Sequence, residues 1–297
     1  MLRSPDVTSH ACFSCDPGPL QVVDHTRRVV RVPDRFRGPP TSVNGGVATG
    51  LYACIGEVAL AAPVRRLQTR LHIPPPLHAD LPFKIGDVPG HPDRQQITVT
   101  TTEGITVLSG WVSALPDPVI PPHTEALLAG LASPTADQLH RFEHYVEPPR
   151  DARMDTAAFS GCFVCGPDAP GGLSLRPRPV TDEVRWLPWH PHRDWRDRNG
   201  VALLPAIAAL DCTGAQGLHE HGLLEEGESL LLGTYDADVR ERPTGHDAED
   251  LRIVTTPAGR DGRKVYTDQG LFTPDGRPLI LGRATWIVVT PDVAVGV

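Results

Sequence analysis

The chain has 297 residues, of which 40% are hydrophobic, and this content is sufficient for a sizeable core. At roughly 100–200 residues per domain, the length predicts two domains. The 28 Lys and Arg residues are outnumbered by 36 Asp and Glu residues, and the net charge of −8 argues against nucleic acid or an anionic membrane surface as a partner.

The chain contains no apolar stretch of about 18 residues, the minimum for a membrane span. Its first residues, Met-Leu-Arg-Ser-Pro-Asp, do not contain the apolar core of a signal peptide. We therefore expect no membrane association and a cytoplasmic location. Six cysteines are too few for a disulfide scaffold, so the sequence predicts thiols or metal ligands.

Two similar segments lie half a chain length apart. Residues 12–15 are Cys-Phe-Ser-Cys and residues 162–165 are Cys-Phe-Val-Cys. An apolar run follows each segment, at residues 20–23 and 173–175, and predicts a short strand. Tandem duplication is the simplest explanation of this repeat. The predicted organisation is a first domain over 1–120, a linker with a helix over 121–152, and a second domain over 153–297.

Each half then reaches an Asn-Gly step that begins a long segment of small and apolar residues. The first segment runs from Asn44 to residue 62, and the second runs from Asn199 to residue 217. Apolar residues lie on most sides of both segments, which predicts buried helices rather than amphipathic surface helices. A buried helix needs a sheet around it.

Both halves end in patterns that are typical of β-hairpins. Apolar alternations flank an acidic residue followed by Gly104, Gly262 or Gly276, and such acidic-Gly steps favour tight turns between antiparallel strands. Between the halves, the proline-rich stretch over 116–122 predicts an extended segment. A helix is predicted over about 133–145, with Ser133 or Thr135 as its N-cap.

This order of motifs resembles the hotdog fold of the PaaI-like acyl-CoA thioesterases. The shared features are a Cys-Phe-x-Cys turn, a strand, an Asn-Gly-Gly start to a central helix, and an antiparallel sheet. The resemblance implies an α+β chain of two tandem hotdog domains, each an antiparallel β-sheet wrapped around a long central α-helix. It further implies that the two domains form an intramolecular pseudo-dimer, which could pair again into a homodimer of double hotdogs.

The resemblance also implies an activity, the hydrolysis of an acyl-CoA or acyl-carrier-protein thioester without a cofactor. In the family, an acidic residue on the central helix is the nucleophile or general base and acts at the oxyanion site of the other subunit. Glu57 and Asp211 are the acids on the two predicted helices, about one helical turn further along than in the family. Their apolar neighbours should raise the pKa of each carboxyl toward the range of a general base.

Backbone N–H groups at a helix N-terminus are unpaired and stabilise negative charge, so Gly45 and Gly46 are predicted to hold an oxyanion. Asn44 would orient the carbonyl or the water. The glycines could equally serve only a tight turn and close packing. The second half has Gly-Val in place of Gly-Gly, which favours one composite site. The predicted catalytic residues are therefore Asn44, Gly45, Gly46 and Asp211, with Glu57 facing a reciprocal, degenerate site of Asn199 and Gly200 that would bind substrate.

The cysteines and histidines allow further interpretations. The two Cys-x-x-Cys pairs are Cys12 with Cys15 and Cys162 with Cys165. Together they have the ligand set of a structural zinc site, although packed turns at the start of each repeat are favoured. Cys54 and Cys212 are predicted as core residues, with a nucleophilic Cys212 as an alternative. His190 and His192 lie on one side of an extended segment, either as substrate contacts or as part of a polar loop.

Two other functions compete with thioester hydrolysis. A non-catalytic acyl-thioester binding protein would retain the acyl pocket and lack the chemistry. A hotdog dehydratase or hydratase would need a histidine and an acid on opposite sides of one pocket to move protons at the substrate carbons.

Overall fold

The structure is a computed structural model that describes residues 22–146, 159–197, 200–290 and 293. Four helices and fourteen strands lie within these ranges. The helices are α1 (Gly45–Leu60), α2 (Pro122–Gly130), α3 (Ala136–His144) and α4 (Leu203–Ala215). The strands are β1 (Val23–Asp24), β2 (Val29–Val30), β3 (Arg66–Leu71), β4 (Leu81–Val88), β5 (His91–Thr100), β6 (Thr106–Ser113), β7 (Arg178–Pro179), β8 (Arg185–Trp189), β9 (Arg196–Asp197), β10 (Gly200–Val201), β11 (Ser229–Val239), β12 (Leu251–Asp261), β13 (Lys264–Phe272) and β14 (Pro278–Val289).

Twelve of these strands form one sheet, in the order β1-β2-β4-β5-β6-β3-β11-β14-β13-β12-β8-β7, and β9 pairs separately with β10. All neighbouring strands in the large sheet run antiparallel, as the hairpin patterns predict. The strands of the first half meet those of the second where β3 pairs with β11, with Thr69 opposite Tyr235. The sheet is therefore continuous from one half to the other.

The two buried helices pack directly against each other on this sheet. Glycine makes their close approach possible: a Cβ at Gly50 would lie 2.5 Å from the Cα of Leu204, and a Cβ at Gly46 would overlap the Cβ of Asp211. The glycines of α1 therefore act in helix packing. Because the helices touch here, the N-terminus of α1 lies beside the middle of α4.

The two helices begin differently, although the sequence predicts matching starts. Asn44 caps α1, and its side chain accepts a hydrogen bond from Val47 N at 2.9 Å. The second helix begins at Leu203 instead of at the Asn-Gly step. Gly200 lies in β10 with φ +105°, and Val201 N donates to Pro243 O at 2.9 Å, so the backbone is held extended up to the helix. Asn199 lies outside the described residues.

The predicted hairpin turns are confirmed. Gly104, Gly262 and Gly276 have φ values of +86°, +55° and +87°, which favour glycine, and each joins two strands of the sheet. The strand predicted over 173–175 is wrong. Leu173 N instead donates to Phe163 O at 2.7 Å, so this segment pairs with the cysteine turn and lies outside the sheet.

The linker contains two helices where the sequence predicts one. Thr135 and Gln138 form a capping box at the start of α3, which confirms the predicted cap. The helix α2 was not predicted, because its first residue, Pro122, belongs to the proline-rich stretch. Proline fits the first turn of a helix, whose N–H groups have no intrahelical acceptor. The domain boundaries at 120 and 152 remain predictions.

Candidate functional site

Asp211 lies on α4 beside the N-terminus of α1, and it is 2% exposed. Its Oδ2 atom accepts hydrogen bonds from Gly46 N at 2.9 Å and from Asn44 Nδ2 at 3.1 Å. Its Oδ1 atom has no hydrogen-bond partner among the described residues. The site therefore combines a carboxylate from the second half of the chain with a helix N-terminus from the first.

Burial and hydrogen bonding shift the pKa of Asp211 in opposite directions. Burial disfavours the charged carboxylate and raises its pKa to about 7, although the N–H of Gly46 and the amide of Asn44 both favour the charged form. The partial positive charge at the start of α1 also favours a carboxylate at this position. The carboxyl group is thus held at a fixed place and bonded through one oxygen atom.

Asn44 is oriented by hydrogen bonds at both ends of its amide. The carbonyl oxygen caps α1 through Val47 N, which leaves the Nδ2 group directed across the interface between the two halves. There Nδ2 donates to Asp211 Oδ2 at 3.1 Å and to Cys212 Sγ at 3.3 Å. Because the carbonyl is used for the cap, the identity of the donating end is fixed by the helix itself.

Three thiols lie next to Asn44 and Asp211. The sulfur atoms of Cys162, Cys165 and Cys212 all lie within 4.8 Å of one another, and those of Cys162 and Cys212 are 3.7 Å apart. These three cysteines are free, whereas Cys54 on α1 is disulfide-bonded. The expectation that the cysteines are thiols or metal ligands is therefore wrong for Cys54.

The three thiols differ in their electrostatics. Hydrogen bonds from Cys165 and Cys212 lower the pKa of Cys162 well below its ordinary value, despite its burial. The pKa values of Cys165 and Cys212 are raised well above theirs, chiefly because each donates to Cys162. Cys162 is therefore the thiol at which negative charge is stabilised.

A cleft with a volume of about 190 Å³ opens beside Asn44, Asp211 and the three thiols. The opposite wall is mainly apolar and comes from β11 and β14. Gly45 lies against this wall, because a Cβ there would be 2.8 Å from the Cβ of Leu232. The apolar residues of the wall are Leu230, Leu231, Leu232, Trp286, Ile287 and Val289.

The structure brings together Asn44, Gly45, Gly46 and Asp211, which the sequence analysis placed in one composite site. One expectation has to be corrected. The N–H of Gly46 donates to the Asp211 carboxylate, so it is already engaged and is not an open oxyanion donor. Gly45, as the first residue of α1, has no intrahelical acceptor for its own N–H.

The other predicted residues lie elsewhere. Glu57 is half-buried in the last turn of α1, and neither it nor Gly200 lines the described cleft. His190 is exposed and bonds the carbonyl of Glu249 at 3.0 Å. His192 caps a short 3-10 helix through Asp194 N. Both histidines are outside the lining of the described cleft, and Asn199, Cys12 and Cys15 lie outside the described residues.

Sequence reasoning did not place the cysteine turn at this site. The available signal is the repeated Cys-x-x-Cys pattern, which on sequence alone favours a packed turn over a metal site. Nothing in the sequence located Cys162 beside Cys212, because their contact depends on how the turn folds back on α4. His72 also lines the cleft, where Nε2 and Ser109 Oγ are 2.8 Å apart, and no sequence motif distinguishes it from the other histidines.

Solved structures share the fold of this chain. A protein with a hot dog fold from Alicyclobacillus acidocaldarius, of unknown function, aligns with a TM-score of 0.52 and 14% identity over 89% of this chain and 93% of that chain. A proposed thioesterase II from Thermobifida fusca aligns with a TM-score of 0.55 and 19% identity over 90% of this chain and 96% of that chain. The dehydratase domain of PpsC from Mycobacterium tuberculosis, in complex with C12:1-CoA, aligns with a TM-score of 0.57 and 12% identity over 90% of this chain and 97% of that chain.

The chain therefore has an α+β fold of the hotdog type. At these identities the likeness establishes the fold alone. No protein-family model and no curated protein sequence matches the chain. None of the helices in the described ranges has the length and apolar character that crossing a membrane would require.

Proposed function

We propose that this protein hydrolyses an acyl thioester in the cleft beside Asp211. The observation that carries the proposal is the position of the Asp211 carboxylate, buried at the N-terminus of α1 on the wall of an apolar cleft. An acyl chain fits the apolar wall, and a thioester carbonyl beside the helix N-terminus meets both a base and an electrostatically positive end. The two central helices then serve one site as an intramolecular pseudo-dimer.

In the proposed reaction, Asp211 accepts a proton from water as the water oxygen attacks the thioester carbonyl carbon. The N–H of Gly45 and the N-terminus of α1 stabilise the oxyanion of the tetrahedral intermediate. The carbon–sulfur bond then breaks, and the leaving thiolate takes the proton that Asp211 accepted from water, which restores the carboxylate. Asn44 acts as a positioning residue, because its amide holds Asp211 Oδ2 in place.

Asn44 beside Asp211 supports hydrolysis, because its amide neither accepts nor releases a proton and so cannot be the partner acid or base of a dehydratase. Dehydration at this cleft would have to use His72, the histidine in its lining, together with Asp211. Among the similar structures, the Thermobifida fusca protein is described as a thioesterase and the PpsC domain is a dehydratase in complex with an acyl-CoA. The proposed substrate is accordingly an acyl-CoA or an acyl-carrier-protein thioester. Dimerisation of the chain and a cytoplasmic location remain predictions.

The test is thiol release from short, long and aromatic acyl-CoAs by the wild type, Asp211→Asn and the control Asp236→Asn. Asp236 is a half-buried carboxylate on β11 that bonds Arg66 and Gln68, away from the cleft. We expect Asp211→Asn to lower kcat by about 100-fold or more, as is typical for a general base, and Asp236→Asn to leave it unchanged.

Equal turnover by Asp211→Asn and wild type would contradict the proposal. Binding of acyl-CoA without release of thiol would indicate a non-catalytic binding protein. Addition of water to an unsaturated acyl-CoA, with the thioester left intact, would indicate a hydratase.

A further inference from the structure

The three free thiols beside the cleft have no part in the proposed hydrolysis. Cys162 and Cys165 are contributed by the turn at the start of the second repeat, and Cys212 by the middle of the second half's buried helix, α4. A structure that needed only small core residues could use alanine or serine here. Three sulfur atoms within 4.8 Å of one another therefore call for a chemical explanation.

We propose that Cys162, Cys165 and Cys212 bind one Zn²⁺ ion that ties the cysteine turn to α4. Zinc takes thiolate sulfur at about 2.3 Å in tetrahedral geometry, which places two ligand sulfurs about 3.8 Å apart. The 3.7 Å between the sulfurs of Cys162 and Cys212 matches this separation. A solvent molecule completes the coordination, as in zinc sites with three protein ligands.

The turn has the local geometry of a zinc knuckle. Its Cys-x-x-Cys spacing is the usual one for such ligand pairs. Gly166 follows the second cysteine, and its N–H donates to Cys162 O at 2.8 Å. A Cβ on Gly166 would lie 2.6 Å from that same oxygen, so the tight turn requires glycine. The sulfurs of Cys162 and Cys165 on this turn lie within 4.8 Å of each other.

Polar groups around the sulfurs provide a second, independent observation. Asn44 Nδ2 lies 3.3 Å from the sulfur of Cys212 and 3.7 Å from that of Cys162, as a donor to both. Donors of this kind surround thiolates that hold a metal and tune their charge.

The arrangement fits a metal better than a disulfide. A disulfide joins two sulfurs at about 2.05 Å and would leave the third thiol buried without a role. Here all three sulfurs lie within 4.8 Å of one another, so one ion can use them all. Thiolate ligands favour zinc over magnesium or calcium, which prefer oxygen.

The first test measures zinc per chain in the full-length protein, purified under reducing conditions and supplied with Zn²⁺. The chain used carries Cys12→Ser, Cys15→Ser and Cys54→Ala, so that the cysteines outside the cluster contribute no metal. We expect about one equivalent of zinc, and Cys165→Ser or Cys212→Ser should weaken binding by more than about 100-fold, beyond the loss that outer-shell partners cause. The matched control is Thr213→Ser, which keeps the hydroxyl that bonds Ala209 O on the same turn of α4.

A second measurement covers the case in which a cysteine variant does not fold. Titrating Co²⁺ into the same reduced Cys12→Ser, Cys15→Ser, Cys54→Ala chain should give thiolate-to-cobalt charge-transfer absorption and the strong visible bands of tetrahedral cobalt, which Zn²⁺ then abolishes. A protein that binds neither ion, or one in which Cys212→Ser retains zinc with the affinity of the parent chain, would overturn the proposal. Because metal content and absorption are read without substrate, the result is independent of whether the chain hydrolyses thioesters.

Discussion

Asn44 is the residue on which helix stability and the candidate site both depend. Its carbonyl oxygen caps α1, and its Nδ2 group donates to Asp211 across the boundary between the two halves. A single side chain therefore couples the start of one central helix to the carboxylate on the other. This coupling was only partly predictable from sequence, because the Asn-Gly-Gly motif indicates the cap, whereas the bond to Asp211 depends on how the helices cross.

We expect Asn44→Ala to lower both stability and activity. Loss of the cap should reduce the free energy of unfolding by about 0.5–2 kcal/mol. Loss of the bond to Asp211 should reduce kcat by about 10-fold or more, with a smaller effect on KM, because the base is no longer held in place. Urea unfolding and acyl-CoA hydrolysis measure the two effects.

The matched control is Thr135→Ala, which removes the cap of α3 and leaves the cleft unchanged. It should reduce stability by a similar amount and leave kcat as in the wild type. An equal loss of kcat in both variants would mean that Asn44 acts only through stability.

Two buried tyrosines should respond in opposite directions to the same substitution. The Tyr52 hydroxyl donates to Ile97 O at 2.6 Å and accepts from Ile97 N at 3.2 Å. The Tyr235 hydroxyl is buried without a partner among the described residues. Removing a bonded hydroxyl leaves its partners unsatisfied, whereas removing an unbonded one relieves a desolvation cost.

We expect Tyr52→Phe to lower the free energy of unfolding by about 1–2 kcal/mol and Tyr235→Phe to leave it unchanged or raise it by up to about 1 kcal/mol. Urea denaturation of the two variants gives the comparison. A loss in Tyr235→Phe as large as that in Tyr52→Phe would show that the Tyr235 hydroxyl is satisfied.

At the scale of elements, the packing of α1 on α4 decides whether the candidate site exists at all. We expect Gly50→Ala to reduce the free energy of unfolding by about 1–3 kcal/mol, because the added Cβ meets the backbone of Leu204 and the helices must separate. Gly86→Ala is the control, since no atom lies within 4 Å of a Cβ there. Thermal unfolding of both variants measures the difference, and an unchanged midpoint in Gly50→Ala would show that the interface can adapt.

The sequence predicted those elements whose signals are local. The hairpins follow from acidic-Gly steps between apolar alternations, and the cap of α3 follows from Thr135 and Gln138. The start of α4 was misplaced, because β10 is held extended by a bond to Pro243, far away in the chain. The strand predicted over 173–175 was wrong for a similar reason, since its partner is the cysteine turn and not a strand of the sheet.

At the scale of the whole molecule, the pairing of β3 with β11 and the packing of α1 on α4 join the two halves through backbone and core alike. We therefore expect the chain to unfold in urea as one cooperative unit, with circular dichroism and tryptophan fluorescence giving coincident transitions. Two separated transitions would show instead that each half is stable alone.

The candidate site draws Asn44 from one half and Asp211 from the other. In a homodimer built by a two-fold axis, every substitution appears in both subunits and alters both sites together. In this single chain, a change of one codon alters one half only. Selection can therefore improve one cleft while the positions that would form the second cleft change freely. A difference between the two sites of a single chain is inherited, whereas identical subunits cannot differ in this way.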